Sequence, residues 1–289
     1  MELRVLKYFL VVAREENITR AAALLHVTQP TLSRQLMQLE EELGVKLFRR
    51  GRYRIILTDD GVLLRRRAQE IVDLAEKVER EFERRDEITG EIAIGAAESN
   101  SMTDLSRRMA AFRRTYPLVR FSLYSATADD IKDRLEKGLL DLGLLSEPVE
   151  IGRYAFQRMP SRDRWGAWVR RDHPLARKDA VTPQDLQPLP LLLGRRELVQ
   201  KELSGWFGEG YERLEVAATY NLMVNAVNMV RNHVGEAAVG FYLGSLSDEM
   251  CFLPLSPPLE TGAVLVWKRD QAFSPAAERF LRLLQQEEE

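Results

Sequence analysis

The sequence predicts an α/β multidomain chain in three successive parts: a small helical head closing on a basic turn, one long helix, and a body of alternating strands and helices. Three observations predict it. Between Ile18 and Leu43, two apolar-periodic segments flank a tight turn. From Leu64 to Phe82, apolar residues recur at heptad spacing. After Thr89-Gly90 the hydrophobic period switches repeatedly between that of a strand and that of a helix.

The head begins with Leu3, Leu6, Phe9, Leu10 and Ala13, an amphipathic helix that should pack across the next two and complete a three-helix core. Ile18, Ala21, Ala22 and Leu25 share one face of a second helix, and the two alanines let a neighbour come close. Val27 is apolar in the turn and should plug the gap between the helices. Thr28 is a candidate N-cap, with Pro30 in the first turn where its missing N–H costs nothing. Leu32, Leu36, Leu39 and Leu43 then face inward, leaving Gln29, Thr31, Ser33, Arg34, Gln35 and Gln38 on or beside the outer face. Gln and Arg can bond base edges bidentately, Thr and Ser serve bases or phosphates, and a helix N-terminus favours phosphate. The pattern reads as a helix-turn-helix whose second helix enters a DNA major groove. Periodicity alone allows a solvated helical hairpin as readily. Gly44 is the C-cap, and Leu47 and Phe48 return to the core. Arg49-Arg50-Gly51-Arg52-Tyr53-Arg54 then precedes Ile55-Ile56-Leu57. A basic turn between short extended segments reads as a wing, whose arginines can straddle a phosphate backbone or enter a narrow minor groove. The bland alternative is a solvated basic loop. The candidate DNA contacts are thus Thr28, Gln29, Pro30, Thr31, Ser33, Arg34, Gln35, Gln38, Arg50, Arg52 and Arg54.

The run Ala21-Ala22-x-x-Leu25-His26-Val27-Thr28-Gln29-Pro30-x-x-Ser33-x-x-Leu36-x-x-Leu39-Glu40-x-x-Leu43-Gly44-x-x-Leu47-Phe48-x-Arg50, continued by Leu57-Thr58-x-x-Gly61, resembles the signature of the LysR-type transcriptional regulators. It is dense over the first 60 or so residues. The rest of the chain agrees with that family in length and layout. The resemblance implies a regulator that binds promoter or operator DNA, senses a small-molecule effector and contacts RNA polymerase.

Charge is distributed to match. The net charge is −2 over 289 residues. Residues 1–58 hold ten Lys/Arg (Arg4, Lys7, Arg14, Arg20, Arg34, Lys46, Arg49, Arg50, Arg52, Arg54) against six Asp/Glu (Glu2, Glu15, Glu16, Glu40, Glu41, Glu42), so the head is +4 and the remainder −6. A basic head on an acidic body fits nucleic-acid binding by the head alone. The lone Cys251 permits neither a disulfide within one chain nor a cysteine metal site, and a reducing cytoplasm is the natural setting. No apolar run is long enough for a membrane span, and Met1-Glu2-Leu3-Arg4 does not read as a signal peptide, so no membrane partner is expected.

Thr58 can cap the long helix, with Asp59 and Asp60 favourable in its first turn. Leu64, Ala68, Ile71, Ala75, Val78 and Phe82 are spaced 4, 3, 4, 3, 4, a stripe one helix cannot bury alone. The expectation is a homodimer through this helix, against the alternative of a helix packed on its own body. The resemblance supports the dimer and implies that dimers pair into homotetramers.

The body reads as strand 91–96, helix 102–116, strand 119–124, helix 128–137 and strand 140–145, a parallel βαβαβ unit. A second set covers 165–169, 183–186, 189–193, 196–207, 214–219, 222–232 and 237–241, then a late strand at 262–267 and a final helix at 275–286. The resemblance implies that the late strand and helix return to a first lobe. That gives two α/β lobes of the periplasmic-binding-protein type, with crossings near Pro160 and between Leu259 and Gly262. The expected division is a winged helix-turn-helix at 1–58, a linker helix at 59–88 and an effector-binding domain at 89–289. Lobe I would hold about 89–160 and 266–289, and lobe II about 161–265.

Parallel sheets bind ligands beyond the carboxyl ends of their strands. Ser99, Asn100, Ser101 and Met102 stand there just before a helix, a setting that suits a carboxylate or other small anion. Thr127, Ser146, Arg195 and Thr219 occupy corresponding positions after other strands, and Arg195 could pair an acidic ligand bidentately. The plainer reading makes Ser99 and Thr127 helix caps and pairs Arg195 with a surface glutamate. Glu98 and Glu147 would repel a dianion. The resemblance places the effector cleft at these same loops. No Gly-rich phosphate loop, G-x-S-x-G elbow or H-E-x-x-H is found, and His26, His173 and His233 are isolated. No cofactor, metal or catalytic residue is expected. The rival readings are an enzyme or solute-binding protein built on the two-lobe body, and an architectural DNA binder without effector.

Overall fold

The computed structural model describes residues 1–50, 55–82, 88–244 and 247–286, without the side chains of Arg50, Lys77, Arg80, Glu81, Phe82 and Gln286. It comprises two compact units, Met1–Glu83 and Arg84–Glu289.

In the first unit, α1 (Leu3–Glu15), α2 (Ile18–Leu24) and α3 (Gln29–Leu43) bury Leu6, Phe9, Ala21, Ala22, Leu32, Leu36 and Leu39 in one core. Asn17 caps α2, its side chain accepting from Arg20 N–H at 3.0 Å. The turn between α2 and α3 puts His26 in the left-handed region (φ 54°) and lets Val27 N–H donate to Ala22 O at 3.0 Å. Val27 packs on the core, as its place in the turn predicts. Leu43 does not face inward. It is the last residue of α3 before Gly44 (φ 69°) turns the chain away, and it is 39% exposed. Strand β1 (Phe48–Arg50) pairs antiparallel with β2 (Ile55–Leu57). Thr58 then caps α4 (Asp59–Phe82), accepting from Gly61 N–H at 3.0 Å. Gly61 passes so close to the preceding loop that a Cβ there would lie 2.2 Å from Leu47 O.

The apolar stripe of α4 splits. Ala68 is wholly buried, Val72 is buried beside it and Leu64 partly so, all in the core of their own unit. Ile71, Leu74 and Val78 are 41%, 41% and 46% exposed, with Leu63 also exposed further up the helix. Ala68 is therefore no seam residue in this chain: its small face is where α4 rests on α1. Leu74, outside the expected heptad, joins the exposed row instead. The side chain of Phe82 lies outside the described residues.

The second unit carries two sheets. In the first lobe, β3 (Gly90–Ala96) runs parallel to β4 (Val119–Ser125) and β5 (Leu142–Ser146). Helix α5 (Ser101–Thr115) follows β3 and α6 (Ala128–Glu136) follows β4. Strand β6 (Tyr154–Arg158) closes this lobe before the chain crosses. The second lobe begins with β7 (Asp163–Arg170) and continues through α7 (Pro183–Leu186), β8 (Leu191–Gly194), α8 (Glu197–Phe207), β9 (Val216–Tyr220), α9 (Met223–Arg231), β10 (Ala237–Phe241), β11 (Met250–Pro254) and β12 (Glu260–Thr261). The chain then returns to the first lobe as β13 (Ala263–Lys268) and α10 (Pro275–Gln286). The first sheet has the order β4-β3-β5-β13-β6 and the second β11-β7-β10-β8-β9, with β12 on β7.

Both sheets are mixed rather than wholly parallel. β13 lies antiparallel to β5 and β6, and β7 lies antiparallel to β10 and β11. The chain that crosses between lobes must enter each sheet against the direction of its βα units. The short strands at 154–158 and 250–254 have no clean alternation and escape a sequence reading. The first lobe resumes at Ala263, three residues before the expected 266, because the last crossing occupies only Gly262.

Candidate functional site

Two surfaces carry candidate chemistry, one on each unit. On the first, α3 is held from beneath by its leucines and from its start by Thr28, whose hydroxyl accepts from Thr31 N–H at 3.4 Å and lies 2.8 Å from the Thr31 hydroxyl. Gln29, Pro30, Thr31, Arg34 and Gln38 are exposed, whereas Ser33 and Gln35 are half-buried on the flanks. Gln29 Nε2 donates to Ser33 Oγ at 3.0 Å and Gln38 Nε2 to Glu42 Oε1 at 3.3 Å. Among the described residues, Arg34 makes no hydrogen bond or ion pair, so its guanidinium is open to a partner. Met37 belongs to the same ridge, three residues after Arg34 and 52% exposed. A methionine within an apolar-periodic helix reads as core, so sequence reasoning passed over it. Arg52 and Arg54, and the side chain of Arg50, lie outside the described residues, and Arg49 at the start of the wing is exposed.

Glu40 joins this ridge to the wing. Its Oε1 accepts from Leu47 N–H at 2.8 Å and Phe48 N–H at 3.3 Å, and its Oε2 meets Lys46 Nζ at 2.6 Å. Burial pushes the carboxyl up, but the bonds from Lys46, Leu47 and Phe48 outweigh it and hold the group below its ordinary range.

On the second unit, a cleft of about 630 Å³, open mouth included, lies between the lobes. It is bounded by the carboxyl ends of β3, β4, β5, β8 and β9, where such a sheet binds ligands. Thr127, Ser146 and Arg195 line it. Thr127 is already engaged as the cap of α6, donating to Asp130 Oδ2 at 2.6 Å, and Ser146 Oγ donates to Glu98 O at 3.4 Å. Thr219 is exposed beside the cleft wall, which uses Tyr220 and Asn221 instead.

Ser99, Asn100, Ser101 and Met102 are placed elsewhere. They form the start of α5, and a carboxylate of the chain itself takes the position that suits an anion. Asp163, 1% exposed at the start of β7, accepts from Asn100 N–H at 2.7 Å and Asn100 Nδ2 at 3.1 Å. Asn100 Nδ2 also donates to Tyr242 O at 2.7 Å, and Ser101 Oγ donates to Ser161 O at 3.2 Å. The turn is thereby a fastening between lobes. Burial pushes the Asp163 carboxyl up, while the bonds from Asn100 and Ser99 pull against it.

A second carboxylate does the same in reverse. Glu98, from the first lobe, accepts from Met223 N–H at the start of α9 in the second. Burial raises its carboxyl too, against the backbone bonds from Met223 and Val224. Tyr220 donates to Val239 O, and burial together with the nearby Glu98 pushes its phenol up. Arg196 reaches back across the cleft to Pro148 O at 3.3 Å and Asp129 Oδ2 at 3.6 Å. Neither Asp163 nor the bridging role of Glu98 is visible locally, because each partner lies far along the chain. Among the described residues, no group of three His, Cys, Asp or Glu could hold a metal ion, and no helix is long and apolar enough to cross a membrane.

Known proteins resemble this chain in sequence and in fold. Residues 3–62 match the family described as "Bacterial regulatory helix-turn-helix protein, lysR family", and residues 85–289 match "LysR substrate binding domain". The Hca operon transcriptional activator HcaR of Escherichia coli (strain K12) is 26% identical over 99% of this chain and 98% of its own length. The transcriptional regulator AlsR of Bacillus subtilis (strain 168) is 30% identical over 68% of this chain and 65% of its own. The fold superposes on full-length CbnR in complex with its target DNA, with a TM-score of 0.76, 21% identity and 99% of each chain covered.

Proposed function

The chain belongs to the LysR family of DNA-binding transcription regulators, and on that premise we propose that α3 reads operator DNA while a small molecule between the lobes sets how well it does so. The observation that carries the reading is the α3 ridge: Gln29, Thr31 and Arg34 exposed on a packed three-helix core, with the wing immediately after. Arg34 supplies a free guanidinium for a guanine edge or phosphate, and Thr28, Pro30 and Gln38 flank it. Residues 1–58 act as the DNA-binding head, 59–88 as the linker helix and 89–289 as the effector-binding domain. Two chains pair along Leu63, Ile71, Leu74 and Val78, and dimers join as tetramers. CbnR, seen with its target DNA, and HcaR, described as an activator, support this assignment.

The mechanism is linkage. An effector that binds one arrangement of the lobes better than another shifts the population by that difference in affinity. The shift changes how the paired heads meet their half-sites, hence contact with RNA polymerase. The family relatives are regulators, which supports a non-enzymatic, cytoplasmic role.

Fluorescence anisotropy on the chain's own upstream DNA, against scrambled DNA in a salt series, tests the reading. Tighter binding to the upstream DNA is expected, with log affinity falling by about 0.9 per phosphate contacted for each unit of log salt. Arg34→Ala should weaken operator binding by roughly 5- to 150-fold, with the fold unchanged by circular dichroism. Unaltered affinity would remove Arg34 from the reading face.

A further inference from the structure

Two of the helix N-termini at the lobe interface are filled from within. Asp163 sits on the start of α5 and Glu98 on the start of α9. An anionic ligand finds neither of these ends vacant, and the start of α6 carries its own Thr127 cap and acids; the start of α8, without a side-chain cap, is the one flanked by arginines. The charged side chains are sorted by lobe. The first lobe lines the cleft with Glu98 and Glu147, the second with Arg195 and Arg196. Arg196 is engaged with Asp129 and Pro148 O. Arg195 is exposed; its backbone N–H donates to Tyr220 O at 2.9 Å, and among the described residues its side chain makes no hydrogen bond or ion pair. Between the charged walls the lining is mainly apolar, with Trp165, Val199, Leu222 and Phe241 beside the polar Thr127, Ser146 and Asn221.

We propose that the cleft takes a zwitterion with an apolar body, such as an α-amino acid, its ammonium on Glu147 of the first lobe and its carboxylate on Arg195 of the second. This rests on the cleft being the effector site. A simple carboxylate would gain Arg195 but meet Glu147. A simple amine would gain Glu147 but meet the arginines. Only a ligand carrying both charges matches the walls in sign, and bridging them favours the closed arrangement of the lobes. The apolar lining takes the side chain, whose burial supplies affinity without adding charge.

The test is thermal denaturation of the full chain with the protein amino acids, and with the amine and carboxylate analogues of leucine and phenylalanine, at equal millimolar concentration. A ligand that binds only the folded state raises the melting temperature by mass action. An apolar amino acid is expected to raise it, and its two single-charge analogues to do so far less. Arg195→Gln, a change at an exposed side chain, should weaken the response roughly tenfold or more in concentration. Glu147→Gln should weaken it in the same sense. A carboxylate analogue as effective as its amino acid overturns the zwitterion while leaving the cleft as the effector site. A response untouched by both Arg195→Gln and an Ala97→Leu change that crowds the cleft overturns the cleft itself. No response to any amino acid also overturns the proposal.

Discussion

Glu40 shows how one side chain can hold a recognition surface in place without touching a ligand. It accepts two backbone N–H groups of the loop that leads into β1 and pairs with Lys46, so α3 and the wing are fastened at a single carboxylate. Glu40→Gln keeps the shape but loses the charge, and is expected to cost about 1–3 kcal/mol of head stability, read by chemical denaturation. Its folded carboxyl is held below the ordinary range. The stability it contributes is therefore present above that range and lost as the pH falls through the lowered value. Stability against pH should be flatter in the variant over that acid window; an unchanged slope would show that the carboxylate contributes nothing. In the sequence, Glu40 is legible only as one letter of a family signature. Its partners are seven and eight residues away, across the turn at Gly44.

Among elements, α4 departs most from its pattern. The heptad spacing from Leu64 to Phe82 predicts one seam, but a helix has two long edges, and α1 claims one of them. Ala68 and Val72 serve that intramolecular contact, and the row left exposed is Leu63, Ile71, Leu74 and Val78. If this row joins two chains, Leu74→Glu and Val78→Glu together should convert the dimer to monomer in light scattering. Operator affinity should fall with it, since two heads no longer bind as a unit. A dimer that survives both charges would place the interface on another surface. Helix α3, by contrast, starts where its cap predicts, because Thr28 satisfies an N–H within one turn of itself, and Asn17 does the same for α2.

At the scale of the whole molecule, the two-lobe unit is fastened by acids that burial makes reluctant to ionise. The Asp163 and Glu98 carboxyls are both pushed up, chiefly by desolvation. A raised folded value means that folding takes up protons. The contribution is present below the ordinary carboxylate range and lost as the pH rises through the raised values. The melting temperature of the second unit's transition should thus decline over that window, and Asp163→Asn should reduce the decline. Asp163→Ala also strands Asn100 N–H and should cost roughly 1–3 kcal/mol at neutral pH. A wild-type transition with no such pH dependence would mean that these carboxyls keep their solution behaviour.

The sequence by itself determined the order of parts, the winged helix-turn-helix with the caps of α3, most strands and helices, and the loops that border the cleft. These follow from spacing, capping and charge within a turn or two, which a single chain displays directly. Tertiary structure alone decided which edge of α4 stays free, that the sheets are mixed, and that Ser99, Asn100 and Ser101 bind the chain's own Asp163. Those outcomes depend on partners 63 positions apart for Asn100 and Asp163 and 125 apart for Glu98 and Met223. No local pattern encodes such pairs, because what brings them together is the packing of two lobes whose apolar cores contain neither acid.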